Sequence, residues 1–272
     1  MSSIIDFICH VIYVLWFWIH RYLTEQIKKH VSPAFGAFYG MLLLEGHTIC
    51  RTVWYGLVKY RKEPHVYGFD GIQLEQRDHR PVLLLPGAVG SWPYLGDLAT
   101  ALRSANIPVF VINIGVGLPN EAMRRAIFHK IQHIREMIAS LGADKSTAVV
   151  DIVAHSNGGN LGLYSAFDDR CCTINDRGEL IFVDEPKANP FVGKVITVAL
   201  PTNAEELNWM KQINKANNLF NVNAKYDALM SHKICALTNE YASQTMEISA
   251  AHVGIVFQNE THQQVINFLN NI

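Results

Sequence analysis

Charge is scarce in this 272-residue chain. Asp, Glu, Lys and Arg make up 17% of it, and 23 basic against 24 acidic side chains leave a net charge of −1. Without a cationic excess there is no electrostatic reason to expect a nucleic-acid partner, because phosphate backbones draw most of their affinity from lysine and arginine. Cysteine is sparse too. The five present (Cys9, Cys50, Cys171, Cys172, Cys235) are an odd number with no Cys-x-x-Cys pair, so no disulfide framework is expected and the adjacent Cys171 and Cys172 read as reduced thiols. No uninterrupted apolar run reaches the roughly 20 residues that a membrane-spanning helix needs. Internal repeats and low-complexity tracts are also missing. Apolar side chains, by contrast, are 49% of the chain, which excludes disorder and suffices for a large buried core.

The oiliest part comes first. Residues 7–19 form an apolar run broken only by His10, too short to span a bilayer and without the basic start or small-residue cleavage site of a signal peptide. Trp16, Trp18 and Tyr22 close the run, with Arg21, Lys28 and Lys29 around and after them, which is the fringe of aromatic and basic groups suited to a membrane surface. A second apolar stretch, Val31 to Leu44, is interrupted beyond its end by Glu45, His47 and Arg51 and reads as an amphipathic helix. Residues 1–63 are therefore expected to be a separate helical segment, with two readings open: association with a membrane through residues 1–60, or packing on the main domain. In the first case the basic residues after the run favour keeping the large C-terminal domain on the cytoplasmic side.

From residue 64 the pattern changes to short apolar strands alternating with amphipathic helices. Strands are expected at Val82–Leu85, Ile107–Ile114, Thr147–Ala154, Val195–Leu200, Leu219–Ala224 and Met246–Ser249. Helices are expected at Leu95–Ala105, Asn120–Leu141, Gly158–Phe167 and Thr261–Leu269, the last with Thr261 as its cap. Such alternation implies an α/β fold, a mostly parallel sheet covered by helices on both faces.

Chemistry concentrates at Asp151-Ile-Val-Ala-His-Ser-Asn-Gly-Gly-Asn160. A serine is lifted into a sharp strand-to-helix turn only where the residues two before and two after it are very small, because the two backbones close on each other there. Ala154 and Gly158 meet that need and make Ser156 the candidate nucleophile. Its hydroxyl requires an oriented base, and in this strand–turn–helix setting the order along the chain is serine, acid, histidine. Three histidines follow, His232, His252 and His262. His252 lies in a loop of small residues after the last strand, whereas His262 opens the terminal helix and is expected to face solvent. Asp227, just past the Leu219–Ala224 strand, is the candidate acid, with Asp184 its rival. The developing oxyanion needs two backbone N–H groups. Asn157 follows the nucleophile at a helix start, and Ala88 sits in the small-residue loop Pro86-Gly-Ala-Val-Gly-Ser91.

These segments resemble a known family. Leu-Pro-Gly-Ala-Val-Gly after the early strand, the Ala-His-Ser-Asn-Gly elbow, Tyr-Asp at 226–227 and Ala-His-Val-Gly-Ile-Val at 251–256 are similar to the compact bacterial lipases of the α/β-hydrolase superfamily, over about 190 residues. The resemblance implies a serine hydrolase acting on lipid or other acyl esters with apolar chains, through Ser156, His252 and Asp227, with no cofactor and no metal. Acyl-thioester hydrolysis or acyl transfer on the same residues, or a non-catalytic membrane-bound module of that fold, are the alternatives. Two departures stand out. Pro86-Gly87 replaces the usual His-Gly, and residues 168–193 are longer than the minimal pattern, forming either a partial lid or a surface hairpin.

Other signals carry little. His129 and His133 are spaced for zinc on one helix, but Lys130 stands where a metalloprotease has its glutamate. Gly115-x-Gly117 lacks the third glycine of a dinucleotide loop. His155, pointing away from Ser156 on an extended strand, is expected to pack below the sheet edge.

Overall fold

A computed structural model describes residues 22, 26, 68–69, 80–88, 92–142, 144, 148–200, 219–225, 227, 242–250 and 252–270. The chain divides into two units, Met1–Cys50 and Arg51–Ile272, and the strands and helices described below belong to the second. The expected boundary at residues 63 and 64, like His232, lies outside the described residues.

Among the described residues, six strands make one parallel sheet: β1 (Val82–Leu85), β2 (Val109–Val111), β3 (Val150–His155), β6 (Val192–Val198), β7 (Leu219–Ala224) and β8 (Gln244–Ile248), in the order β2-β1-β3-β6-β7-β8. β4 (Cys172–Ile174) and β5 (Leu180–Phe182) form a separate antiparallel hairpin. Parallel neighbours need crossovers, and helices supply them: α1 (Gly96–Ser104) from β1 to β2, α2 (Glu121–Ser140) from β2 to β3, and α3 (Asn157–Ser165) directly after β3. α4 (Asn259–Asn270) follows β8.

The period of two along β1 assigns each residue to one of two cores. Val82 and Leu84 join Leu98 and Leu102 of α1 and Val265 and Phe268 of α4 on one face. Leu83 and Leu85 join Ile127, Ile131 and Ile134 of α2 and Leu161 of α3 on the other. With both faces covered, the central strands are apolar runs, and all four residues of β1 are fully buried.

Strand order reverses between β1 and β3. The chain steps outward from β1 to β2, then returns to the other side of β1, so a crevice opens at the carboxyl ends of β1 and β3. Ser156 and the 86–88 loop lie at that point.

Several expectations change in detail. β2 is three residues long, because the chain leaves the sheet after Val111 for a loop with Gly115 and Gly117 at positive φ. α4 begins at Asn259, so Thr261 lies inside its first turn with a buried hydroxyl that has no hydrogen-bond partner, and does not cap it. His262 does not face solvent. It is buried, and its Nε2–H donates to the Val256 carbonyl at 2.8 Å. Cys171 and Cys172 are free, buried thiols. Within 168–193 the chain forms the β4–β5 hairpin, tied to α2 by Arg124 to Asp169 at 2.7 Å and by Ile174 N–H to the Glu121 carboxylate at 3.1 Å.

Candidate active site

All six residues of β3 are buried, so the strand delivers Ser156 at a fixed height above the sheet edge. Ser156 has φ 53° and ψ −131°, in a left-handed region that a residue with a Cβ rarely occupies. The neighbours impose this turn. Gly158 passes so near the end of β1 that a Cβ there would collide with the Pro86 carbonyl oxygen. Gly87 faces the serine from the other side, where an added Cβ would stand 2.9 Å from Ser156 Cβ. Although Ser156 occupies the N-cap position of α3, its side chain makes no cap hydrogen bond. The hydroxyl is directed elsewhere.

It meets His252. Ser156 Oγ lies 2.8 Å from His252 Nε2, and His252 Nδ1 lies 2.6 Å from Asp227 Oδ2. A carboxylate oxygen only accepts, so Nδ1 carries the ring proton, and Nε2 accepts from the serine hydroxyl. The His252 and Asp227 side chains are 3% and 2% exposed, so little water competes for these contacts. Asp227 reaches the ring because β7 ends at Ala224 and turns, with Asp227 N–H donating back to the Ala224 carbonyl at 3.3 Å. The turn is anchored on β8 by Lys225 N–H to the Ile248 carbonyl at 2.9 Å.

The structure thus brings together Ser156, Asp227 and His252, three residues from loops after three different strands. Asn157 opens α3 beside Ser156, and Ala88 follows Gly87, which abuts Ser156 from the other side. Asp184 is exposed in a bend just past the hairpin, which is a sheet of its own. His129 and His133 are both exposed on α2, and among the described residues no cluster is suited to a metal.

Two neighbours carry site contacts that the sequence does not disclose. His155, the last residue of β3, sends Nε2 to the His252 carbonyl oxygen at 2.9 Å and Nδ1 to Tyr94 Oη at 3.0 Å. The Tyr94 hydroxyl also accepts from Gly87 N–H at 2.5 Å. His155 is buried, and both its ring nitrogens make polar contacts with the site. The available signal was that a strand-end histidine and a tyrosine, if buried, must each find partners.

By sequence, no protein-family model and no curated protein matches the chain. By structure, it is similar to the Francisella virulence factor BioJ, with a TM-score of 0.54 at 13% identity, covering 82% of this chain and 91% of that one. It is also similar to an esterase of Pyrococcus furiosus (TM-score 0.53, 12% identity, 70% and 82% covered) and to a metagenome-derived lipolytic enzyme (TM-score 0.52, 10% identity, 71% and 94% covered). Sheet order, crossover pattern and these neighbours agree: the chain has the α/β-hydrolase fold.

Proposed function

We propose that the protein is a serine hydrolase that cleaves carboxylic esters of apolar acyl chains. The observation that carries this reading is the single imidazole of His252 set between the Ser156 hydroxyl and the Asp227 carboxylate, at 2.8 Å and 2.6 Å. Both distances are within proton-transfer reach.

In the reaction, Ser156 Oγ attacks the ester carbonyl carbon while its proton passes to His252 Nε2. Asp227 stabilises the imidazolium that forms and holds the ring in the productive orientation. The carbonyl oxygen gains negative charge and is received by the amides of Ala88 and Asn157, the second aided by the positive end of the α3 dipole. Collapse expels the alcohol, which takes the proton from His252, and leaves an acyl-enzyme on Ser156. Water, deprotonated by His252, repeats the sequence and releases the acid.

The preference for apolar acyl groups is supported by the loop after β2. Gly117 N–H donates to the Ala88 carbonyl at 3.0 Å, so this loop lies against the oxyanion loop, and its Val116 and Leu118 are 80% and 64% exposed. Large apolar side chains so exposed at a site mouth suit an apolar ligand.

The test is covalent labelling with a fluorophosphonate probe and mapping of the adduct. Labelling at Ser156 is expected, abolished in Ser156→Ala and strongly reduced in His252→Ala. A chain-length series of p-nitrophenyl esters and acyl thioesters then defines the acyl group and the leaving atom. An unlabelled wild-type protein would overturn the proposal.

A further inference from the structure

Beneath the site a second polar chain runs through buried side chains and joins three loops. Its directions follow from which atoms can donate. The His252 backbone carbonyl only accepts, so His155 Nε2 bears the proton in their 2.9 Å contact. Burial, with His252 nearby, outweighs the hydrogen bond to the His252 carbonyl and pushes the His155 pKa down to about 3, which leaves the ring neutral. In a neutral imidazole the other nitrogen is then an acceptor, so Tyr94 O–H donates to His155 Nδ1 at 3.0 Å. The phenol oxygen in turn accepts from Gly87 N–H. Burial raises the phenol pKa far above its ordinary value, so Tyr94 keeps this proton. The order is Gly87 N–H to Tyr94, Tyr94 to His155, His155 to His252.

Each end of this chain is a backbone group of a proposed catalytic loop. Gly87 precedes Ala88, whose amide is to receive the oxyanion, and its Cα faces Ser156. His252 is the base. Between them stands His155, covalently next to the nucleophile. The two imidazole rings are 5.1 Å apart, centroid to centroid, and Tyr94 and His155 are each 3% exposed. Transition-state stabilisation depends on donors fixed before the charge develops, and misplacement by about 1 Å can cost about 100-fold in rate. An elbow, an oxyanion loop and a histidine loop that end three different strands need a common brace.

We propose that Tyr94 and His155 are positioning residues for the hydrolase reaction, bridging the Gly87 and His252 backbones so that both loops keep register with Ser156. The inference rests on the serine-hydrolase reading above. His155 does not exchange a proton with substrate; it works as a neutral strut with one donor and one acceptor. Its neutrality also matters electrostatically, since a positive charge there would oppose the imidazolium that forms on His252.

The experiment compares wild type with Tyr94→Phe, His155→Leu and His155→Gln, using p-nitrophenyl butyrate turnover, boronic acid inhibition, the fluorophosphonate labelling rate and thermal melting. Tyr94→Phe keeps the ring and deletes only the hydroxyl. We expect it to lower kcat by about 10- to 100-fold with KM within about twofold, and to weaken the tetrahedral boronate adduct in parallel. His155→Leu should behave likewise, and His155→Gln, which retains a donor and an acceptor, should recover part of the loss. A merely structural role would lower the melting temperature while leaving kcat per folded molecule and boronate affinity unchanged, and that result would overturn the inference. Nitrogen-15 NMR of the wild-type histidines gives an arm that needs no variant to fold: His155 should be protonated at Nε2 alone at neutral pH, and protonation at Nδ1 would refute the bridge. If wild type fails to label at Ser156, the hydrolase reading falls and this role with it. If wild type labels and both Tyr94→Phe and His155→Leu react at its rate, only the positioning role falls.

Discussion

Gly158 lies so close to the Pro86 carbonyl oxygen that a methyl group on its Cα would occupy the space of that atom. This contact between the start of α3 and the end of β1 closes the turn that raises Ser156. The obstacle is backbone and cannot swing aside. We therefore expect Gly158→Ala to destabilise the protein by about 3 kcal/mol, the upper part of the usual cost of overpacking. Gly162, one turn later, is the control. A Cβ there meets Ile152 Cγ2 at 3.2 Å and Ala154 Cβ at 3.3 Å, crowding that the helix propensity of alanine offsets in part. Its loss should stay within about 1 kcal/mol. Urea melts of the two variants measure the difference, and equal midpoints would refute the close approach.

The same contact shows what a sequence discloses about such a site. Ala154, Ser156 and Gly158 are neighbours along the chain, so the steric demand of the turn is written locally. The strand–helix alternation was equally legible, because each strand is a short apolar run between turn residues. Asp227 and His252 were reachable through chain order and their places after strands, although Asp184 competed until its hairpin took it out of the sheet. Tyr94 and His155 were not legible. Their roles depend on partners 61 and 97 positions apart, and nothing local separates a bridging imidazole from a packed one. His262 is a related case: its place at a helix start suggests solvent exposure, whereas in the fold it is buried and bonded to the Val256 carbonyl.

Asp227 accepts from His252 Nδ1 at 2.6 Å, and its negative charge is what an imidazolium on His252 would be paired with. Asp227→Asn keeps the shape and removes that charge. We expect kcat to fall by about 1,000- to 10,000-fold with little change in KM. Asp184→Asn, on an exposed bend, should turn over at the wild-type rate. Steady-state kinetics on one ester decide between them, and a loss confined to Asp184→Asn would overturn the assignment of the acid.

His155 also sets an acid limit on stability. Its folded pKa of about 3 lies below the ordinary value of 6.5, through burial first and the neighbouring His252 second, partly opposed by the hydrogen bond to the His252 carbonyl. Above pH 6.5 neither state binds the proton, and the contribution is fully present. As pH falls from 6.5 toward 3 the unfolded chain takes up a proton that the folded protein refuses, so stability is lost across that window by up to about 1.4 kcal/mol per pH unit. His155→Gln, which does not titrate, should lack this part of the slope. Denaturant melts from pH 7 to pH 4 test it, and parallel slopes for the two proteins would show that His155 is protonated in the fold.

Residues 1–60 supply the remaining prediction, which rests on composition, since almost all of that segment lies outside the described residues. Among the described residues no helix is long and apolar enough to cross a membrane. An interfacial segment needs less, an apolar face edged by tryptophan, tyrosine and basic side chains, and Trp16, Trp18, Tyr22, Lys28 and Lys29 provide those groups. We expect the full chain to co-sediment with phosphatidylcholine–phosphatidylserine vesicles and a chain lacking residues 1–60 to remain in the supernatant. Replacing Trp16 and Trp18 together with serine should weaken binding by about 100-fold or more, given about 1.5–3 kcal/mol for each large apolar side chain withdrawn from water and about 1.4 kcal/mol per tenfold. If the shortened chain binds the vesicles as strongly as the full one, the membrane role of this segment is refuted, and packing on the main domain becomes the better reading.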